Sequence, residues 1–147
     1  MTVTLSDEPA TQALGQSLAT LVRPGEAICL AGPLGAGKST LARALVRALT
    51  TPDEEVPSPT FTLVQFYETG AFPLAHFDLY RLSDPDEAYE IGLDEALDGG
   101  AALIEWPQRL EGRLPPDRLD IEITMDGEGR TARLTPHGAW KDRPLEF

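Results

Sequence analysis

The sequence predicts a single α/β domain organised around one strand, one glycine-rich loop and one helix. Three observations carry this. "EAICLAG" (Glu26–Gly32) is a short apolar run with the length of a buried strand. It leads into the glycine-rich "GPLGAGK" (Gly32–Lys38). "KSTLARALVRALT" (Lys38–Thr50) then repeats apolar residues at helical spacing, with Leu41, Ala44, Leu45, Ala48 and Leu49 on one side. A chain of 147 residues fits one domain. It is long enough to bury about two-thirds of its unfolded surface.

The other elements follow in order. Ser6–Val22 reads as a first helix, capped by Ser6 or Asp7, with Pro9 in its first turn and Leu14, Leu18, Leu21 and Val22 along one face. "RPGE" ends it. Past the central unit, Thr51–Pro59 is a proline-rich acidic loop. Thr60–Tyr67 is rich in β-branched and aromatic residues and reads as a strand. Pro73–Tyr80 reads as a second strand, forming a hairpin with it. Ser83–Leu93 reads as a short helix stopped by Gly92, and Ala101–Pro107 as an apolar strand ending in an acid. Between Arg118 and Gly138 the pattern alternates, with Leu119, Ile121, Ile123 and Met125 on one face and a turn at Asp126-Gly127. The tail, about 138–147, is expected to pack loosely. No repeat, low-complexity segment or linker divides the chain.

Composition narrows the function classes. At 41% hydrophobic residues the chain is globular. Its 24 acidic residues against 12 basic give a net charge of -12, which repels a nucleic-acid backbone. Direct DNA or RNA binding is therefore not expected. Cys29, the single cysteine, has no partner for an intrachain disulfide and reads as a small core residue. The polar N-terminus lacks a signal-peptide pattern, and no apolar run approaches the length of a membrane span. The expected location is cytoplasmic.

Gly32, Gly37, Lys38 and Ser39 stand at the spacing of the phosphate-binding motif G-x-x-x-x-G-K-[ST], between a strand and a helix as that motif requires. Gly32, Gly35 and Gly37 let the backbone adopt positive φ and approach a phosphate. The loop amides from Gly32 through Pro33, Leu34, Gly35, Ala36 and Gly37 to Thr40 form an anion nest, although Pro33 has no N–H to give. Lys38 reaches the β- and γ-phosphates, and the Ser39 hydroxyl is placed for Mg²⁺. The chain contains no asparagine, so it lacks the N-K-x-D guanine motif. It also lacks an L-S-G-G-Q signature. Both absences favour ATP, with ADP as product, in a small single-domain protein.

A phosphate loop of this kind shares its Mg²⁺ with an acid at the end of a neighbouring strand. Two acids compete: Glu105, which ends "AALIE", and Asp78, which follows "LAHF". Neither His76 nor His137 has a second histidine or cysteine at ligand spacing, and His76 reads as a packed strand residue. Two reaction classes remain open. One is ATP hydrolysis. The other is a small-molecule kinase, with Asp78 as base and Arg81, Arg109 and Arg113 as charge donors.

Four segments in order, "GPLGAGKST" (Gly32–Thr40), "SPTFTLV" (Ser58–Val64), "HFDLYRL" (His76–Leu82) and "IEWP" (Ile104–Pro107), resemble the TsaE (YjeE) family of bacterial tRNA threonylcarbamoyladenosine synthesis. The resemblance covers nearly the whole chain. It implies a P-loop NTPase fold, a three-layer α/β/α arrangement with a central parallel sheet flanked by antiparallel strands. It implies an ATPase that resets a TsaB–TsaD complex, while TsaD transfers the threonylcarbamoyl group to the adenosine beside the anticodon. The tRNA would then be met only through that complex. The implied roles are phosphate binding for Lys38, metal binding for Ser39, and a Walker B–like ligand in Glu105. Asp78 would hold the metal or orient the attacking water. Thr11, Thr60 and Arg130 would approach the nucleotide. Tyr80, Arg81 and Trp106 would lie near the site or the partner face. The family often carries Asp and Thr where this chain has Pro33 and Ser39.

Overall fold

A computed structural model describes all residues, 1–147. Seven strands form one sheet in the order β1-β7-β6-β2-β5-β4-β3. They are β1 (Thr2–Leu5), β2 (Ala27–Ala31), β3 (Val64–Glu68), β4 (Pro73–Asp78), β5 (Ala101–Glu105), β6 (Arg118–Asp126) and β7 (Gly129–His137). The central strands β6, β2, β5 and β4 are mutually parallel. Antiparallel β7 and β1 extend one edge, and antiparallel β3 the other.

Strand alternation splits the core between the two faces. Ile28 and Leu30 of β2, Leu103 of β5 and Ile121 of β6 pack on one side with Leu14 and Leu18 of α1 (Glu8–Ala19) and Leu41 and Leu45 of α2 (Lys38–Leu49). Gly15 lets the two helices cross closely, since a Cβ there would lie 2.7 Å from the Leu41 carbonyl oxygen. Ala27, Cys29, Phe77 and Ile104 face the other side, where Leu93 of α4 (Leu93–Leu97) and Ala88 of α3 (Asp86–Glu90) cover them. Burial and the nearby Asp120 carboxylate push the Cys29 thiol up to about 12, so it is inert core. The third layer is smaller than expected. The outer face of β6 and β7 carries Asp120, Glu122, Arg133 and Thr135, with Arg133 bonded to Glu122 at 3.1 Å. Pro107, Gln108 and Leu114 border it in place of a long helix.

Four local expectations are corrected. The first helix begins at Glu8, because Thr2–Leu5 pairs with β7 as an edge strand; Asp7 is its cap, accepting from Ala10 N–H at 2.9 Å. Residues 60–63 form turns, and the strand starts only at Val64. Gly92 joins two short helices: at φ 98° it closes α3 and opens α4. Met125 does not join the buried face of its strand; it is half exposed near the end of the β6–β7 hairpin.

The tail is not loose. Trp140 is fully buried against the α1–α2 side of the sheet. Arg143 stacks over its ring at 4.4 Å and holds Glu26 through two hydrogen bonds, of 2.8 and 2.6 Å. Trp140→Ala is therefore expected to cost about 3–5 kcal/mol, a large part of the roughly 5–15 kcal/mol that holds a domain folded. Urea denaturation checks this; an unchanged midpoint would mean the tail is dispensable.

Candidate functional site

Parallel pairing brings the ends of β2, β5 and β4 to one edge of the sheet. In that register Glu105 lies opposite Leu30 of β2 on one side and Asp78 of β4 on the other. Leu30 is next to the point where the glycine-rich loop departs. The two acids that compete in the sequence are thus neighbours at the mouth of the same loop.

The loop has the geometry of an anion cradle. Gly35 (φ 80°) and Gly37 (φ 104°) occupy the left-handed region, and Gly37 caps α2. Ala36 N–H bonds the Pro33 carbonyl oxygen at 3.2 Å, and Leu41 N–H begins the helix ladder on Gly37. The N–H groups of Gly35, Gly37, Lys38, Ser39 and Thr40 have no acceptor within the protein. They lie just before and within the first turn of a twelve-residue helix, at its positive end. Gly32 (φ 146°) also has positive φ, and its small size matters as well. A Cβ there would stand 2.5 Å from the Ile123 carbonyl oxygen, so glycine allows β6 to pass.

Lys38 is buried, yet its Nζ has no hydrogen-bond partner. It rests 3.9 Å from the centre of the Trp106 ring, and no carboxylate lies within ion-pair distance. Burial pushes its ammonium below the ordinary lysine range, opposed by the fields of Glu105 and Asp78. A buried ammonium with no partner carries an unmet electrostatic demand. An anion in the cradle would meet it.

Asp78 and Glu105 are each 5% exposed. Asp78 Oδ2 accepts from the Thr60 hydroxyl at 3.0 Å, and Oδ1 from Tyr80 N–H at 3.0 Å. Thr60 continues to Ser58 at 2.7 Å. Glu105 Oε2 pairs with His76 Nε2 at 2.6 Å. No third His, Cys, Asp or Glu joins the two acids as a possible metal ligand. A hard cation here would complete its shell with the Ser39 hydroxyl, phosphate oxygens and water, which is how Mg²⁺ is ordinarily held.

Two cavities flank the loop and share Gly35, Gly37 and Thr40. The first, about 260 Å³, is lined by Leu34, Lys38, Ser39, Thr60, Asp78, Glu105 and also by Ser58 and Trp106. The second, about 210 Å³, contains Ala36, Thr11 and Arg130, the last donating to the Gly35 carbonyl oxygen at 3.2 Å. Gly32 and Pro33 line neither. The second cavity also includes Asp7, Glu8 and Glu128, which sequence reasoning passes over. Asp7 and Glu8 read as helix-start residues, and only the β1–β7 pairing brings Glu128 and Arg130 to them. Arg81, Arg109 and Arg113 line neither cavity. Arg81 lies over Phe61 at 4.3 Å, and Arg113 bonds Asp86.

The family model described as "Threonylcarbamoyl adenosine biosynthesis protein TsaE" matches residues 5–133, a span that holds the loop, both acids and both cavities. The chain belongs to the TsaE family. TsaE proteins of Aquifex aeolicus and Bacillus subtilis, each named as a tRNA threonylcarbamoyladenosine biosynthesis protein, are 44% and 40% identical to it. The first match covers 90% of this chain and 93% of that protein; the second covers 80% and 73%. A crystal structure of Bacillus subtilis YdiB superposes with a TM-score of 0.77 at 31% identity, over 94% of this chain and 86% of that one. Every TsaE segment singled out in the sequence lies within the matched region, and the two acids sit where β4 and β5 end beside the loop. No helix is long and apolar enough to cross a membrane.

Proposed function

We propose that this chain is a Mg²⁺-dependent ATPase of tRNA threonylcarbamoyladenosine biosynthesis, which hydrolyses ATP to reset a TsaB–TsaD complex between rounds. One observation carries the catalytic part: the unpartnered buried Nζ of Lys38 shares a cavity with two strand-end acids and the free amides of the loop. Lys38 and those amides would bind the phosphates and stabilise the charge that builds on the γ-phosphoryl oxygens. Ser39, Asp78 and Glu105 would hold the cation. Bound Mg²⁺ supplies charge neutralisation between the phosphates. Asp78 or Glu105 would also orient the attacking water. The second cavity, with Thr11 and Arg130, would take the rest of the nucleotide.

The surface supports action on a protein partner. Four large apolar side chains are exposed around the loop and its neighbours: Leu34, Phe61, Tyr80 and Met125. Phe61 follows Thr60, whose hydroxyl is bonded to Asp78, so a change at the γ-phosphate reaches the rim through one side chain. The net charge of -12 fits a protein that leaves the tRNA to its partners. With no arginine of the kinase set lining either cavity, nothing favours phosphoryl transfer to a small molecule.

The experiment is steady-state ATP hydrolysis by the purified chain, alone and with the cognate TsaB–TsaD pair. Slow hydrolysis alone and severalfold stimulation by the pair are expected. Full turnover without partners, or phosphate appearing on a small-molecule acceptor, would overturn the reading. The cell location consistent with it is the cytoplasm, where tRNA is modified.

A further inference from the structure

His76 has no role in the chemistry described above, and as a sequence feature it reads as packing. The structure gives it a polar contact. Leu74, His76 and Asp78 share the loop-facing side of β4, while Ala75 and Phe77 face away. His76 lies opposite Leu103 of β5, which places it diagonally from Glu105 on the same face. It is 3% exposed, and its Nε2 stands 2.6 Å from Glu105 Oε2. Its other nitrogen, Nδ1, is buried without any partner.

Opposite a carboxylate, these facts give the hydrogen bond its direction. An ionised carboxylate only accepts, so the contact at Nε2 needs a proton there, whereas a neutral ring with its proton on Nδ1 would bury an N–H with no acceptor. The proton therefore belongs on Nε2, and the ring donates to Glu105. That bond occupies Oε2 and leaves Oε1, which accepts no hydrogen bond in the protein, for the cavity. The field of Glu105 acts on the Lys38 ammonium, yet the two are not paired. Lys38 is left unpaired over Trp106.

We propose that His76 is a positioning residue: it fixes the Glu105 carboxylate so that one oxygen serves the site while Lys38 stays free for phosphate. The proposal rests on the ATPase reading above for its kinetic consequence, but its structural part does not. In His76→Leu the ring's volume is roughly kept and the donor is lost. The expected kcat for ATP falls about tenfold or more, the usual size for an outer residue that orients a ligand, with KM changed less than about threefold. In His76→Gln a side-chain N–H returns at similar reach and is expected to restore most of kcat. A merely structural role would make both variants equally poor or equally good.

Nitrogen-15 spectra of the histidine ring in the nucleotide-free wild-type protein test the same claim without turnover. They should show a proton on Nε2, and Glu105→Ala should shift its resonance. A bare Nε2, or ring signals indifferent to Glu105→Ala, would overturn the proposal even if the chain hydrolyses ATP. If the spectra agree but no ATP is hydrolysed, the failure lies with the functional reading. Wild-type kcat in a folded His76→Leu protein would also overturn the positioning role.

Discussion

Lys38→Ala is expected to abolish measurable hydrolysis and to weaken ADP and ATP binding by about 10–150-fold, since a hydrogen bond to a charged group contributes roughly 1.5–3 kcal/mol. The loss would fall on both steps, because in the proposed role the ammonium contacts phosphate in the ground state and also neutralises charge that grows in the transition state. Stability should respond differently. In the free protein Nζ is desolvated and unpartnered, and only the Trp106 ring faces it. Removing it relieves that burial cost while giving up a cation–π contact of about 1–2 kcal/mol. The melting temperature of the nucleotide-free variant should therefore stay within a few degrees of wild type, while the rise produced by ADP disappears. A variant that unfolds would show that Lys38 is a structural residue. One that binds ADP normally would remove the phosphate role.

Glu105→Gln should separate the two steps that Lys38 joins. The amide keeps an oxygen that can accept from His76, so the local fold is preserved. It lacks the negative charge that, in the proposed role, would hold a cation and orient water. Hydrolysis is expected to fall about 10²–10³-fold, the range seen when one electrostatic contributor is removed. Affinity for ADP should change less than about threefold. Asp78→Asn should behave similarly, with an added effect. Both Asp78 oxygens accept hydrogen bonds, from Thr60 and from Tyr80 N–H, and the amide offers only one acceptor. The loop carrying Phe61 should then loosen, and stimulation by a partner should fall more than basal turnover. Titration with a fluorescent ADP beside a phosphate-release assay checks both variants. Equal losses in binding and hydrolysis would contradict the assignment.

What is legible in the sequence is local. The strand, loop and helix of Ala27–Leu49 are read directly, because glycine spacing and apolar periodicity are properties of neighbouring residues. The same holds for the β6–β7 hairpin with its Asp-Gly turn. Features that depend on distant partners are harder to see. Thr2–Leu5 becomes a strand only by pairing with β7, more than a hundred residues away. Thr60–Leu63 has the composition of a strand, but a side-chain bond from Thr60 to Asp78 and a positive φ at Leu63 hold it as turns. The tail reads as loose because Trp140 finds its pocket, and Arg143 its Glu26, across the whole fold.

The site divides in the same way. Lys38 and Ser39 follow from the motif. Asp78 and Glu105 compete in the sequence, since nothing in the chain order says that β4 and β5 are adjacent and parallel. The structure sets them side by side. The contact between His76 and Glu105, 29 residues apart, has no sequence signal beyond a histidine and an acid on two apolar strands.

Whether hydrolysis resets a partner complex is tested most directly by counting rounds of modification. Cognate TsaB–TsaD, tRNA and the activated threonylcarbamoyl donor would be mixed with ATP and this chain, with Glu105→Gln in its place, or without it, and modified adenosine followed over time. A single round per complex is expected without the chain or with Glu105→Gln, and many rounds with the wild-type protein. Sustained turnover with Glu105→Gln would contradict the resetting role, because modification would then proceed without ATP hydrolysis by this site.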